Sequence, residues 1–191
     1  MDSYQEFLRD ASFFELLRRI DIELADETRL AGCPCGGVLH FARYRRKPRG
    51  GPENLSRECC LRESLCCSED GCRRRSMPPS VRFLGRKVFF GIVVLLVPIL
   101  RDGLTPRRFR RLANKLPVSR RTVQRWRRWW RESVPSTRFW RRGRAELAPG
   151  ASEASLPGSL LSAFSAVGDA RERLVAVLSW LSDLSVGDRA R

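Results

Sequence analysis

Apolar residues recur at helical spacing near the start of the chain, with acids and arginines between them. The apolar positions between residues 3 and 28 are Phe7, Phe13, Phe14, Leu16, Leu17, Ile20 and Leu24. This pattern predicts an amphipathic N-terminal helix within residues 1–31. Ser12 can cap a second piece, so we expect a break near it.

The most apolar run is "VFFGIVVLLVPIL", residues 88–100. It is shorter than the roughly 20 residues that a membrane-spanning helix needs. The run therefore predicts a core helix over 83–101, kinked or ended at Pro98. The N-terminus carries acids where a signal peptide needs a positive start, so we expect no export and no membrane partner.

Two further helices are expected over 105–132, with a turn at "KLPVS". Thr105 can cap the first, with Pro106 at its first position, and Pro117 ends it. Ser119 can cap the second, in which Val123, Trp126 and Trp130 lie on one face.

The remainder is predicted as loop over 133–158, followed by an amphipathic helix over about 169–184. That last helix presents Leu174, Val177, Leu178 and Leu181 on one face. The fold class expected is mainly α with a small β zinc ribbon. The predicted segments are an N-terminal helix at 1–31, a zinc-ribbon-like module at 32–82, a helix-turn-helix domain at 83–142, a linker at 143–168 and a C-terminal helix at 169–191.

Charge is distributed unevenly along the 191 residues. The whole chain carries a net charge of +16, but residues 1–31 carry −4, residues 32–145 carry +22 and residues 146–191 carry −2. So basic a centre favours a polyanionic partner. The acidic terminal helices are candidates for contact with a second copy or a partner protein.

All seven cysteines lie between residues 33 and 72. In a reducing cytoplasm, clustered thiols bind metal more often than they form disulfides. Cys33 and Cys35 form one close pair and Cys67 and Cys72 a second, and zinc prefers four soft ligands delivered as two such pairs. Residues 38–44 and "ESLCC" can form the connecting hairpin, so we expect one structural zinc ion in a zinc ribbon.

Three cysteines are left over, and the ligand set has alternatives. Cys66 could replace Cys67, and His40, the only histidine, could also be a ligand. Cys59 and Cys60 are interpreted as small buried hydrophobic residues.

The helix beginning after Ser119 has a basic face opposite its tryptophans. Arginine can contact guanine and glutamine can contact adenine in the major groove of duplex DNA. Between residues 103 and 131 there is no Asp or Glu, whereas a merely solvated face usually includes acids. The predicted DNA-binding residues are Ser119, Arg120, Arg121, Gln124, Arg125, Arg127, Arg128 and Arg131, of which Arg120, Arg127 and Arg131 suit phosphates.

A cysteine module ending in "CRRRSMPPSVRFLGRKVF", a hydrophobic helix and then "LPVSRRTVQRWRRWW" together resemble a known arrangement. They are similar to the zinc-ribbon and helix-turn-helix N-terminal region of bacterial insertion-sequence transposases. Uncharacterised bacterial transposon-associated proteins of the same layout are also similar. The resemblance covers residues 13–142 and implies binding of double-stranded element DNA ends. The acidic ribonuclease-H-like catalytic domain of those transposases has no counterpart in this sequence.

The sequence thus predicts a cytoplasmic, nucleoid-associated DNA-binding protein that is not an enzyme. A single histidine allows no HExxH site, and no Gly-rich phosphate loop ending in Gly-Lys occurs. The alternatives are a bacterial transcription regulator and an RNA- or protein-binding adaptor.

Overall fold

The fold is described from a computed structural model, which defines residues 3–85, 87–103, 118–147 and 151–186. Within these residues the protein is mostly helical, with a small antiparallel sheet and a cluster of cysteines. The predicted helix over 105–117 lies outside the described residues.

The N-terminal segment forms two helices, α1 (Ser3–Phe7) and α2 (Ala11–Leu30). The expected break near Ser12 is present, but the cap is Asp10. Its carboxylate accepts hydrogen bonds from the backbone N–H of Ser12 at 2.9 Å and from the Ser12 hydroxyl at 2.6 Å. Asp10 therefore starts α2, and Ser12 lies inside its first turn.

Five short strands follow: β1 (Leu39–Phe41), β2 (Tyr44–Arg45), β3 (Leu61–Arg62), β4 (Leu65–Cys67) and β5 (Arg75–Ser76). One antiparallel sheet has the order β1-β4-β5, with Leu39 opposite Cys67. The predicted pairing of residues 38–44 with "ESLCC" is present in this sheet. The other two strands, β2 and β3, form a separate antiparallel pair.

The apolar helix α3 spans Gly91–Gly103, so the predicted start at residue 83 is wrong. Residues before it are held by other hydrogen bonds: Phe83 and Phe90 form an antiparallel bridge, and the N–H of Gly91 donates to the Arg82 carbonyl at 2.7 Å. Pro98 lies inside the helix and does not end it. Residues 92–96 are fully buried, as expected of a helix that is apolar on every side.

After the second gap in the described residues come α4 (Arg120–Arg128), a π-turn (Trp129–Ser133), α5 (Val134–Ser136) and α6 (Arg138–Gly143). The chain then forms α7 (Gly158–Ala163) and α8 (Ala170–Trp180), with 3₁₀ turns at Arg144–Glu146, Glu153–Ser155 and Leu181–Ser185.

The prediction of loop over 133–158 is wrong, because this stretch contains α5, α6, two 3₁₀ turns and the first residue of α7. The buried indole of Trp140 donates to Glu153 Oε1 at 2.7 Å, which joins α6 to the 3₁₀ turn at Glu153–Ser155.

The C-terminal helix is confirmed. Asp169 and Glu172 form a reciprocal capping box at the start of α8. The predicted face of Leu174, Val177, Leu178 and Leu181 is fully buried.

One hydrophobic core extends from Tyr4 to Leu181 and surrounds α3. It takes residues from all five predicted segments, including Cys59 and Val81 from 32–82 and Leu156, Leu160 and Leu161 from the predicted linker 143–168. A second, smaller core contains Cys33, Leu39, Leu65 and Cys67 beneath the three-stranded sheet. Among the described helices, none has both the length and the apolar character needed to cross a membrane.

Candidate metal centre and candidate nucleic-acid interface

Four cysteine sulfurs converge at the edge of the three-stranded sheet. Cys33 and Cys35 follow α2, Cys67 ends β4, and Cys72 lies in the turn between β4 and β5. The Sγ atoms of Cys33 and Cys72 are 3.7 Å apart, and those of Cys35 and Cys67 are 3.4 Å apart. All four sulfurs lie within 4.8 Å of one another.

This spacing fits a tetrahedral metal ion. Four sulfurs at a Zn–S distance of about 2.3 Å would be about 3.8 Å apart. Two of the sulfur–sulfur separations, 3.4 and 3.7 Å, lie just below that value, and all of them are within 4.8 Å. The four residues are those predicted from their spacing in the sequence, and together they could hold a metal ion.

The turn at Cys33 and Cys35 depends on two glycines. Gly36 has a φ of +87°, in the left-handed region that glycine adopts without strain, and its N–H donates to the Cys33 carbonyl at 2.8 Å. A Cβ on Gly37 would lie 2.7 Å from Cys67 Sγ. Only glycine therefore lets the backbone of this turn approach the second cysteine pair so closely.

The surroundings of the sulfurs favour a thiolate at one of them. The backbone N–H of Gly37, followed by the neighbouring thiols, lowers the pKa of Cys35 to about 7. The backbone N–H of Glu69 acts in the same direction on Cys67, but burial and its contacts with the other sulfurs raise the pKa of Cys67 to about 12. The cluster thus concentrates negative charge on Cys35, and a thiolate is the form that binds metal.

The other candidate ligands lie elsewhere. Cys59 is buried in the main core, and its thiol donates to Glu15 Oε1 at 3.2 Å. Burial raises the pKa of Cys60, and raises that of Cys59 to about 12. Cys66 has its sulfur near the carbonyls of Cys67 and Arg73, and His40 is exposed. Among the described residues, neither belongs to the cluster.

The second candidate site is α4. Ser119 caps it, accepting a hydrogen bond from the Thr122 N–H at 3.2 Å. The predicted apolar face is buried: Val123 and Trp130 are inaccessible, and the Trp126 ring packs edge-on against Phe89 at 5.0 Å. This packing fixes which face of the helix points outward.

The outward face carries the predicted basic residues. Arg120, Arg121, Gln124, Arg125, Arg128 and Arg131 are exposed, and Arg127 is half-buried. Arg128 Nε lies 3.9 Å from Glu132 Oε1, and both side chains are highly exposed. Such an exposed pair contributes little stability, so this arginine remains available to a partner.

The structure shows contacts of two basic residues, Arg46 and Lys87, that were not among the residues predicted from the sequence. Arg46 donates to the carbonyls of Gly85 at 3.1 Å and Lys87 at 2.8 Å. Lys87 places its Nζ 3.7 Å from the centre of the Trp129 ring. Burial, and secondarily the charge of Arg125, lowers the pKa of Lys87 to about 8. These contacts join residues far apart in the sequence, so no pattern of neighbouring residues indicates them.

Comparison with protein-family models, with curated proteins and with solved structures finds no match for this chain. What this chain does must therefore be inferred from its two candidate sites.

Proposed function

We propose that this protein is a zinc-containing helix-turn-helix protein that binds double-stranded DNA through α4. The observation that carries the proposal is the basic outward face of α4, whose orientation is fixed by the buried seam of Val123, Trp126 and Trp130. Capped helices with such a face bind DNA by placing N-terminal residues in the major groove. In this assignment the predicted helix over 105–117 is the first helix of the motif.

The metal part of the proposal is zinc at Cys33, Cys35, Cys67 and Cys72. Four thiolates at tetrahedral spacing, with no exchangeable position, are the donor set of a structural zinc site. When bound, zinc would join the end of α2 to the β4–β5 turn, in the arrangement of a zinc ribbon. Stabilising that sheet is the role assigned to the metal, and no catalytic role is proposed.

The biological setting proposed is recognition of the DNA ends of a mobile element, following the resemblance of residues 13–142 to insertion-sequence transposases. The proposal covers binding of DNA and not its cleavage, because these 191 residues include no acidic catalytic domain of that kind. Inverted repeats flanking the gene would support this setting.

The test of DNA binding begins with selection of bound duplexes from a random library. Arg121→Ala and Gln124→Ala should then relax the selected sequence preference, each at a cost of about 1–3 kcal/mol if the side chain makes a bidentate base contact. Arg131→Ala should weaken binding to all sequences alike and reduce the salt slope by about one unit. Arg19→Ala is the matched control, because Arg19 is an exposed arginine on α2 with acids one turn away on either side.

If the Arg121→Ala protein binds selected and scrambled duplexes as the wild type does, α4 is not the recognition helix. Preference for single-stranded RNA over every duplex would instead favour the RNA-binding alternative.

A further inference from the structure

Residues 43–49, "RYRRKPR", form an exposed basic stretch that we call the basic strand. Arg43 is paired with Glu63 at 2.7 Å. Three other cations, Arg45, Lys47 and Arg49, are exposed, and no described carboxylate lies within ion-pair distance of them. Three exposed cations without a described ion-pair partner, within seven residues, make this a surface that favours a polyanion.

The basic strand presents these charges on one side. Exposure alternates over residues 45–49: Arg45, Lys47 and Arg49 are exposed, whereas Arg46 and Pro48 are half-buried. Arg46 turns inward, where its guanidinium lies 4.8 Å from the Phe83 ring and donates to two backbone carbonyls. Alternation of this kind is the side-chain pattern of an extended chain, so Arg45, Lys47 and Arg49 form one row.

The backbone of the basic strand is held at both ends. Arg45 pairs with Leu61 in the two-stranded sheet. At the other end the Arg49 N–H donates to the Val88 carbonyl at 2.9 Å, and the Phe90 N–H donates to the Arg49 carbonyl at 3.2 Å. A held backbone reduces the conformational entropy that binding would otherwise cost.

Backbone contacts and Arg46 connect the basic strand to α4. Arg49 forms a bridge with Phe89, and the Phe89 ring contacts Trp126 on the buried side of α4. Lys87, whose carbonyl accepts from Arg46, contacts Trp129 at the end of the same helix. A short segment, residues 87–89, therefore connects the basic strand to the helix that carries the proposed recognition residues.

We propose that Arg45, Lys47 and Arg49 bind backbone phosphates of the duplex that flanks the site contacted by α4. The inference rests on the proposed function, since it places the flanking duplex relative to α4. Each cation that neutralises a phosphate releases counterions, and the contact is independent of base sequence. The basic strand would then determine how long a duplex the protein contacts, and α4 would determine which base sequence it prefers.

The experiment uses the full chain and two duplexes that share the selected site. One contains the site alone, and the other extends it by about one helical turn, roughly 10 bp, on each side. The variant is Arg45→Ala/Lys47→Ala/Arg49→Ala, with Arg9→Ala/Arg19→Ala as a control that removes two exposed arginines elsewhere. Equal melting temperatures of all three proteins show that the fold is intact.

The salt slope is the slope of the logarithm of the binding constant against the logarithm of the salt concentration. On the long duplex we expect the triple variant to lower the magnitude of this slope by about 2.7, or about 0.9 per phosphate contact. On the short duplex, and in base preference, it should match the wild type. A triple variant that binds the long duplex as the wild type does, or that loses affinity only for single strands, overturns the proposal. Arg121→Ala could leave binding of selected and scrambled duplexes unchanged while the triple variant still has a reduced salt slope. That result would reject α4 as the recognition helix and retain the basic strand as a DNA contact.

Discussion

At the scale of single residues, Cys59 and Cys72 show how differently a thiol can be used in this protein. Cys59 lies in the main core, where its thiol donates a hydrogen bond to Glu15. Cys72 lies in a turn, with its sulfur 3.7 Å from that of Cys33. Serine can replace the hydrogen bond of the first cysteine, but it cannot replace the thiolate of the second.

We therefore expect protein purified under reducing conditions to contain about one equivalent of zinc. Cys72→Ser should lose it, and amide exchange should become fast across residues 33–80. Cys59→Ser should keep both the zinc and the slow amide exchange of residues 33–80. Elemental analysis with hydrogen exchange measures both, and a Cys72→Ser protein with full zinc content would contradict the ligand assignment.

A second residue-scale prediction concerns pH. Lys87 has a pKa lowered from about 10.4 in an unfolded chain to about 8 by burial and the charge of Arg125. The unfolded chain thus binds more protons between these values, so the contribution of Lys87 to stability rises with pH through that window. Below pH 8 the cost of keeping the lysine charged is fully present.

In the variant Lys87→Met, the side chain at position 87 does not bind or release a proton. Its advantage in unfolding free energy over the wild type should be greatest at pH 7 and should decrease by pH 10. Urea unfolding of both proteins across this range provides the measurement, and comparing the two cancels the titration of the cysteines. A difference that is constant with pH would show that Lys87 is not desolvated.

The residue-scale features that could be predicted are those that depend on spacing along the chain. The close pairs of cysteines in the sequence predict the four clustered cysteines, and the structure confirms the cluster. The helical spacing of the arginines predicts the basic face of α4. Lys87 was not selected, because its environment is made by Trp129 and Arg125 from a distant segment. No local pattern reports such a contact.

At the scale of elements, the proline inside α3 explains how α3 and the π-turn are joined. Pro98 has no N–H, so the carbonyl of Val94, four residues earlier, loses its partner within the helix. The indole N–H of Trp130 donates to that carbonyl at 3.0 Å. The carbonyl that the proline leaves without a partner in α3 is thus hydrogen-bonded by a side chain of the π-turn.

This arrangement predicts non-additive substitutions. Trp130→Phe leaves the buried Val94 carbonyl unpaired, at a cost of about 1–3 kcal/mol in addition to the lost packing. In a Pro98→Ala background the alanine N–H can occupy that carbonyl, so the same substitution should cost less. Urea unfolding of the two single variants and the double variant tests this, and strictly additive costs would refute the coupling.

Element boundaries were predictable where the signal is local. Ser119 begins α4 as a cap, and Asp169 begins α8, whose buried face was also predicted. The start of α3 was not, because the apolar residues Phe83, Phe89 and Phe90 before it form bridges with each other and with Arg49. The helices within 133–158 were missed because its prolines indicate loop, whereas the hydrogen bond that joins Trp140 to Glu153 leaves no signal in the local sequence.

At the scale of the whole molecule, a buried ion pair connects the helical core to the segment before α3. Asp21 on α2 accepts from Arg82 Nε at 2.8 Å, from the Ser80 hydroxyl at 2.6 Å and from the Val81 N–H at 2.7 Å. Arg82 also donates to the Cys59 carbonyl at 2.8 Å. Both charged side chains are completely inaccessible.

Asp21→Ala should therefore cost about 3–5 kcal/mol, because it leaves the arginine charge buried without its partner. Asp26→Ala is the matched control on the same helix. Asp26 pairs with Arg29 at 3.2 Å with both side chains partly exposed, and loss of such a pair costs about 1 kcal/mol or less. Equal costs for the two variants in urea unfolding would show that the buried pair is not structural.

The main core around α3 also has a consequence for synthesis of the protein on the ribosome. The described strands and the four clustered cysteines precede residue 77 and are translated before α3. The residues of α8 that share the core with α3, among them Leu174, Val177 and Leu178, are translated much later. The apolar surface of α3 therefore leaves the ribosome well before its last partners exist, and we expect the nascent chain to require a chaperone during that interval.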